Sequence, residues 1–226
     1  IGGFEVESLI DCSENVKGIV LGKVLSVVKH ENSDKLSICN VDIGDTKSLQ
    51  IICGAKNIKP NLHVYVATIG THLPAINLTI KKSEIRGVMS EGMICSLEEL
   101  GIEDTSEGIA IIDDEIASKH KLGTPASLLL DLNDYVFDLA ITANRPDGMS
   151  VVGIAREISA LLETKLNFPE LKKTYKINVY KNFDLCTETI TKNCLYSISK
   201  IESVNGREPS PQWVKDRLDK SGIKSI

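Results

Sequence analysis

The sequence lacks the patterns that mark metal, redox and membrane proteins. Its six cysteines include no CxxC pair, and its four histidines show no HxxxH spacing, so the sequence indicates no zinc knuckle and no redox motif. We therefore expect no bound metal, and reduced, buried thiols of the cytosolic kind. No apolar run approaches the roughly 20 residues that cross a bilayer, so we expect a cytoplasmic protein without a membrane partner.

The N-terminus also lacks a secretion signal. The chain begins Ile1-Gly2-Gly3 rather than with Met, and these residues are not a charged leader before an apolar segment. We expect no signal peptide, and we expect that the natural N-terminus precedes Ile1.

A strong positive charge is absent as well. The net charge is −5, but it is unevenly distributed: residues 15 to 102 hold ten Lys and Arg against eight Asp and Glu, and residues 103 to 160 hold four against eleven. This distribution excludes a strongly electropositive domain, yet it permits a basic face within residues 15 to 102.

Short β-type segments occupy that first region. Ile19 to Val28 is β-branched and almost continuous, and a phase change between Leu36 and Ile43 is typical of a β-bulge. The predicted strands are 19–28, 36–43, 49–54, 62–69 and 78–82. Five short strands with turns at this spacing predict an OB-type barrel, whose face and loops suit nucleic-acid strands.

The residues after the barrel predict an α+β arrangement. We expect an edge strand at 134–142 and a helix from Ser150 to Leu162 with one buried apolar stripe. We further expect strands at 175–180 and 195–201, and a helix that begins at Ser210-Pro211 and stops at Gly222. Residues 1 to 13 are too short for a core of their own, so we expect them to pack on the later α+β segment, with the barrel as an insertion.

Several of these segments resemble known motifs. The segments SDKL (33–36), VDIG (41–44), IICGAKN (51–57), KKSEIRG (81–87) and SEGMICS (90–96) together are similar to the tRNA-binding OB domain of several synthetase-associated proteins. The segments NRPD (144–147) and GIARE (153–157) resemble the bacterial-type phenylalanine-tRNA ligase β subunit. Gly148 and Ala143 depart from the usual family residues, without weakening the resemblance.

The resemblance implies a domain organisation and partners. It implies an α+β fold with a five-stranded OB-type barrel, residues 14–132 including an acidic extension, inserted into a discontinuous domain of 1–13 plus 133–172. Residues 173–226 would begin an editing-type domain whose site lies past the chain. The family implies tRNA and an α subunit as partners, in a heterotetramer of two α and two β subunits, and no DNA partner. ATP and Mg²⁺ are implied for the whole enzyme, with no cofactor bound and no catalytic residue in this chain.

The candidate RNA-binding residues lie on one predicted rim of the barrel. Phosphate neutralisation requires cations, and unstacked bases pack on rings. The candidates are Lys29, His30, Lys35, Tyr65, Lys81, Lys82 and Arg86. With no Phe or Trp between residues 14 and 132, His30 and Tyr65 are the candidates for stacking. An ordinary solvated charged face remains the alternative.

The second candidate group is a turn before the predicted helix. Asn144, Arg145 and Asp147 are expected to fix the turn, Ser150 to cap the helix, and Arg145 to pair with a neighbouring domain. Met89 and Met93 are expected in the core, and Cys53 and Cys95 are not expected to act as nucleophiles, because no His base lies near them in sequence.

Three functions therefore stay open. The chain is a part of a tRNA ligase with an RNA-binding barrel, a stand-alone tRNA-binding protein, or a structural scaffold at a subunit interface. The NRPD to GIARE segment argues against the second.

Overall fold

The computed structural model describes residues 3–168, 203, 205–208 and 210–223. The chain divides into two compact units, one formed by Gly3–Ala140 and one that contains Ile141–Ile226. The described residues include no helix that is long and apolar enough to cross a membrane.

Short strands dominate the first unit. The strands are β1 (Glu5–Asp11), β2 (Ile19–Lys29), β3 (Ser37–Asp42), β4 (Leu49–Cys53), β5 (His63–Thr68), β6 (His72–Leu73), β7 (Leu78–Thr79), β8 (Ser83–Ile85), β9 (Val88–Ser90), β10 (Gly92–Ile94), β11 (Ile111–Ile112) and β12 (Tyr135–Ala140). The α-helices are α1 (Asp114–Ala117), α2 (Ala126–Leu129), α3 (Val151–Leu161) and α4 (Gln212–Lys220), and 3-10 turns lie at Glu14–Val16, Pro74–Ile76 and Pro146–Met149.

A nearly closed antiparallel barrel forms the centre of this unit. Its strand order is β10-β5-β2-β3-β4, and β11 also pairs with β5. The first and last strands of this order, β10 and β4, approach each other beside a hydrogen bond in which Glu91 N donates to Gln50 O at 2.8 Å. The predicted OB-type barrel is therefore confirmed.

The fifth barrel strand is β10, and the prediction of residues 78–82 for this role is wrong. Leu78 and Thr79 pair instead with β6 in a separate two-stranded sheet, whereas Met93 of β10 pairs with Ala67 of β5. The β-type segment Leu78-Thr79-Ile80 was misleading because strand propensity does not specify the partner strand.

The predicted bulge occurs where β2 pairs with β3, but the extra residue lies on β2 rather than on β3. Val24 pairs with Val41 and Ser26 pairs with Asn40, so Leu25 is the extra residue and it belongs to β2. On β3, Cys39 and Val41 keep a regular inward alternation. The sequence pattern was misleading because Cys39, rather than Ile38, faces the core.

Two apolar clusters fill the interior of the first unit. One cluster lies between β2, β5 and the segments after β10: Val16, Ile19, Leu21, Tyr65, Ala67, Leu73, Ile80, Cys95, Leu100, Ala110, Ile112, Ala117 and Ala126. The other lies within the barrel: Val24, Cys39, Val41, Ile51, Cys53, Ile58, Val64, Val66, Ile94 and Ile109. Apolar clusters therefore lie on both sides of β2 and β5.

Strands β1 and β12 form a two-stranded antiparallel ribbon. The register pairs Leu9 with Phe137 and Val6 with Leu139, with an irregularity between Val6 and Ser8. Leu9 is 55% exposed and Phe137 is 59% exposed. The predicted edge strand is confirmed, with bounds of Tyr135–Ala140.

Helix α3 is present in the second unit, as its apolar spacing predicts, but the expected burial of its stripe is wrong. Val151, Ile158 and Leu161 are exposed, whereas Gly153 is buried. An amphipathic spacing shows which face is apolar, and burial requires a covering element. Helix α4 begins at Gln212, one residue later than predicted, with Pro211 at its N-cap. The predicted strands at 175–180 and 195–201 lie outside the described residues.

Candidate nucleic-acid interface

The hairpin of β8 and β9 carries one part of the candidate site. Ser83 pairs with Ser90 and Ile85 pairs with Val88, which leaves Arg86 and Gly87 as a two-residue turn. Both have positive φ, +51° for Arg86 and +89° for Gly87. Two consecutive left-handed residues are the geometry that matches the twist of a tight hairpin. Gly87 suits this conformation, and Arg86 adopts it at the tip.

A buried histidine joins this hairpin to the loop between β2 and β3. His30 is only 2% exposed. Its Nε2 lies 3.2 Å from Ile85 O, and the backbone N of Asn32 donates to its Nδ1 at 3.0 Å. Because Nδ1 accepts, these partners assign the proton to Nε2, which donates to the carbonyl.

Asn32 and Arg86 form a second connection between the same two segments. Asn32 Nδ2 donates to Arg86 O at 3.2 Å, and Arg86 Nη1 donates to Asn32 O at 3.2 Å. The loop at 30–36 and the hairpin tip are thus held together by three hydrogen bonds between residues more than 50 positions apart in sequence.

Five of the seven candidate RNA-binding residues are exposed on these segments and the adjoining chain. Lys29 pairs with Asp34 at 2.6 Å and Lys82 with Glu91 at 2.7 Å, and Lys82 holds the pKa of Glu91 below its usual range. Lys35 and Lys81 have no acidic partner among the described residues, and the Arg86 bond to Asn32 goes to a neutral carbonyl. Exposed ion pairs are weak, so phosphate groups can compete for Lys29 and Lys82.

The two candidate stacking residues do not lie on the surface. His30 is occupied by the contacts above, and Tyr65 of β5 is 6% exposed within the core. Burial raises the pKa of Tyr65 above its ordinary value. Neither ring can stack on a base without leaving the interior. Sequence alone could not show this, because Tyr and His are both intermediate in their tendency to be buried.

The sequence analysis missed the outer face of β2, β3 and β4, which is defined here by Ser26, Val28, Ile38, Asn40, Gln50 and Ile52. Cys39, Val41 and Ile51 point into the barrel core, so by the alternation of a strand these six residues face outward. This alternation is visible in the sequence, but the face carries neither a cation nor an aromatic ring.

The turn at 144–150 belongs to the second unit and is a structural feature. Arg145 donates from Nε and Nη2 to Asp147 at 3.0 and 2.9 Å, and from Nη2 to Glu157 of α3 at 2.8 Å. Arg145 thus binds its own turn and helix, and it lowers the pKa of Asp147. Ser150 Oγ accepts from Gly153 N at 3.0 Å and caps α3, while Asn144 is exposed.

Gly153 allows this turn to pack closely against the start of α3. A Cβ at this position would lie 1.7 Å from Asp147 O, far inside any real contact. The 3-10 turn and the first turn of α3 therefore pack through a side-chain-free backbone. This close approach gives the glycine of the GIARE segment a structural role.

The described cysteines and the two methionines of the barrel lie in different environments. The described residues hold no cluster of His, Cys, Asp and Glu that could bind a metal. Cys39, Cys53 and Cys95 are buried, and burial raises the pKa of Cys95 to about 12, which disfavours the nucleophilic thiolate. Met93 packs against the core, whereas Met89 is exposed on the hairpin, contrary to expectation.

Comparison with known proteins agrees with this architecture. Residues 19–121 match the family described as “Putative tRNA binding domain”. The whole chain is 83% identical to the phenylalanine–tRNA ligase beta subunit of Prochlorococcus marinus subsp. pastoris (strain CCMP1986 / NIES-2087 / MED4), of which it covers 28%. Over its whole length, this chain is similar to phenylalanine–tRNA ligase β subunits.

Other ligase β subunits match over the same extent. The chain is 72% identical to the beta subunit of Prochlorococcus marinus (strain MIT 9312) and 48% identical over 229 aligned positions to that of Synechococcus sp. (strain CC9605), covering all of this chain and 28% and 27% of those proteins. It thus spans less than a third of the length of these relatives. The C-terminal domain of Plasmodium vivax p43 is 22% identical, with a TM-score of 0.35 over 50% of this chain and 61% of that one.

Proposed function

We propose that the barrel of this chain is a tRNA-binding module within a phenylalanine–tRNA ligase β subunit. The observation that carries the proposal is that hydrogen bonds hold the 30–36 loop against the β8–β9 hairpin. The two joined segments carry the exposed side chains of Lys35 and Arg86. Loops at this position are the usual nucleic-acid contacts of OB folds. The family match over residues 19–121 supports the same function.

The chemistry of the surface suits the RNA backbone. Lys35, Lys81 and Arg86 offer charges that no acidic group among the described residues neutralises, and Lys29 and Lys82 can exchange their carboxylate partners for phosphates. Since each neutralised phosphate releases counterions, three to five contacts predict a log–log salt slope of about −2 to −4. We therefore expect moderate, salt-sensitive binding.

The role of the whole protein follows from the family. We propose that it takes part in joining phenylalanine to its tRNA with ATP and Mg²⁺, in the cytoplasm, together with an α subunit in a heterotetramer of two α and two β subunits. This chain alone is expected to have no aminoacylation activity. The test is aminoacylation with phenylalanine, ATP, Mg²⁺ and tRNA, for which product above background would contradict the proposal.

We also propose that the barrel is inserted into a domain built from residues 1–13 and 133–172, with the next, editing-type domain beginning near residue 173. The pairing of β1 with β12 supports this division, because strands on either side of the barrel meet as neighbours. Limited proteolysis tests it: the expected result is a protected barrel fragment, with cleavage near residues 14 and 132.

A second candidate function is a scaffold at a subunit interface without RNA contact. The specific observation in its favour is the ribbon of β1 and β12, which exposes Val6, Leu9 and Phe137. A stand-alone tRNA-binding protein is not favoured, because the similarity to ligase β subunits extends over all 226 residues.

Binding of a tRNA transcript to charge-reversed variants separates the two candidates. The triple change Lys35→Glu, Lys81→Glu and Arg86→Glu is expected to weaken binding by at least about 10-fold and to flatten the salt slope by about 2 to 3. Lys121→Glu is the matched control, since Lys121 is exposed close to Gly44 at the far end of β3. Equal affinities for the wild type and the triple variant would favour the scaffold.

A further inference from the structure

A buried histidine ring lies at the centre of the contact between the 30–36 loop and the β8–β9 hairpin. We propose that His30 is a pH-sensitive positioning residue, whose neutral ring holds Asn32 and Arg86 in place and whose protonation releases them. As a consequence, tRNA binding weakens when the pH falls. This consequence rests on the proposed function, whereas the release of Asn32 and Arg86 does not.

The two ring nitrogens of His30 have opposite hydrogen-bonding roles. Nε2 lies 3.2 Å from Ile85 O, a group that only accepts, and Nδ1 lies 3.0 Å from Asn32 N, a group that only donates. A neutral imidazole has one donor and one acceptor, whereas an imidazolium has two donors. The observed contacts therefore fit the neutral ring with its proton on Nε2 and do not fit the charged ring.

Protonation of His30 would place two donors against each other. The added proton on Nδ1 would point at the N–H of Asn32, so this hydrogen bond would become a repulsive contact. The ring is also buried, and a charge in such a position loses most of its hydration. The charged form is thus stable only if the ring or the loop leaves the present arrangement.

Asn32 connects the ring to Arg86. The backbone N of Asn32 donates to the ring, while its Nδ2 donates to Arg86 O and its O accepts from Arg86 Nη1. A displaced Asn32 would lose both bonds to Arg86. The arginine at the hairpin tip would then no longer be held in one position, and ordering its long side chain on a phosphate would cost conformational entropy.

The charged groups on the segments around the ring are exposed to solvent. The hydrogen bonds described for the ring go to backbone groups. The charged residues at the end of β2, in the loop and on the hairpin are Lys29, Glu31, Asp34, Lys35, Glu84 and Arg86, all of them exposed. Lys29 and Asp34 pair with each other at 2.6 Å, and exposed charges are screened by salt. Burial of the ring and its contact with Asn32 therefore decide which form of His30 the closed arrangement accepts.

The expected direction of the pH effect is the reverse of simple charge attraction. Histidine is the side chain that ordinarily changes its charge between about pH 5 and 8. The other three histidines, His63, His72 and His120, are less buried than His30. Positive charge on them favours the binding of a polyanion at low pH. A fall in tRNA affinity at low pH therefore distinguishes release at His30 from the titration of these residues.

Fluorescence anisotropy of the full chain with a tRNA transcript, at about pH 7.5 and about pH 5.5, gives the first test. We expect the wild-type affinity to fall by at least about 5-fold at the lower pH, the low end of ordinary coupling energies. The salt slope should flatten by about 1 as the Arg86 contact is lost. His30→Gln carries a neutral amide with donors and an acceptor and should show no fall. His72→Gln, at an exposed histidine, is the matched control and should keep the wild-type response.

A ¹H–¹⁵N titration of the free wild-type chain tests the release without RNA and without a variant. As the pH falls, the backbone amide signals of Asn32 and Gly87 should move with one common midpoint, because both segments are released together. The amide signal of Thr79, whose side chain bonds to His72, should follow a midpoint of its own. Motionless signals, or different midpoints for Asn32 and Gly87, would overturn the proposal.

The possible results separate the role of His30 from the proposed function. An equal loss of affinity in the wild type and in His30→Gln, or a wild-type affinity that does not fall, would overturn the effect of His30 on tRNA binding. If Lys35→Glu/Lys81→Glu/Arg86→Glu still weakens tRNA binding, the proposed function survives that result. Absence of tRNA binding at both pH values would overturn the proposed function, whereas the amide titration would still decide the release of Asn32.

Discussion

The barrel and the β1–β12 ribbon are built from similar strands but differ in what covers them. Leu21 in β2 is completely buried, whereas Leu9 in β1 is half exposed opposite Phe137. Closure of the barrel buries one apolar cluster, and the segments after β10 cover the other cluster, which includes Leu21. A two-stranded ribbon has no second layer, and such pairs are marginal by themselves. Apolar alternation thus identifies a strand without showing whether the same segment buries it.

The largest expected effect contrasts one leucine from each region. Leu21→Ala removes a fully buried side chain and should lower the free energy of unfolding by about 2–5 kcal/mol through lost transfer energy and a cavity. Leu9→Ala should change it by less than about 0.5 kcal/mol. Urea unfolding followed by circular dichroism measures both. Equal losses would mean that the ribbon is covered as well as the barrel.

A smaller effect is expected at the connection between the barrel loop and its hairpin. His30→Ala leaves Ile85 O and Asn32 N without their partners, which should cost about 1–3 kcal/mol. Amide hydrogen exchange should accelerate in residues 83–90 more than in β1 or β12. His72→Ala is the control, because His72 is exposed and bonds only to Thr79 among the described contacts. Uniform acceleration throughout the unit would argue against a local role.

The smallest effect concerns the acidic end of the ribbon. The hydroxyl of Ser13, together with Lys17, lowers the pKa of Asp11 to about 2. Because this pKa is lower in the folded state than the usual 3.9, the carboxylate stabilises the fold above that value, and the stabilisation disappears as the pH falls towards 2. NMR titration of the Asp11 carboxyl measures the midpoint.

Ser13→Ala provides the check on this assignment. Removing the main hydrogen bond should raise the Asp11 midpoint towards 3.9, whereas Ser8→Ala, on the same strand, should leave it in place. A wild-type midpoint near 3.9 would show that the Ser13 contact does not persist in solution.

Much of the fold was accessible from the sequence because it depends on neighbours along the chain. The β-branched run of β2, the Ser150 cap and the spacing of α3 are local features. The cations Lys35, Lys81 and Arg86 were likewise found on exposed positions. Long charged side chains are rarely buried, so composition alone predicts their exposure.

Tertiary structure alone decided which strand closes the barrel, which rings are buried and which apolar faces stay open. His30 meets Ile85 across 55 positions, and the outer face becomes continuous only when Val28, Ile38 and Ile52 align in register. These outcomes depend on pairing between distant segments, which the local periodicity of a strand does not encode. The sequence by itself determined the family resemblance, the barrel class and the local elements of this protein. The register of the strands and the closure of the barrel determined which side chains lie together on its surface, because both depend on which distant segments pair.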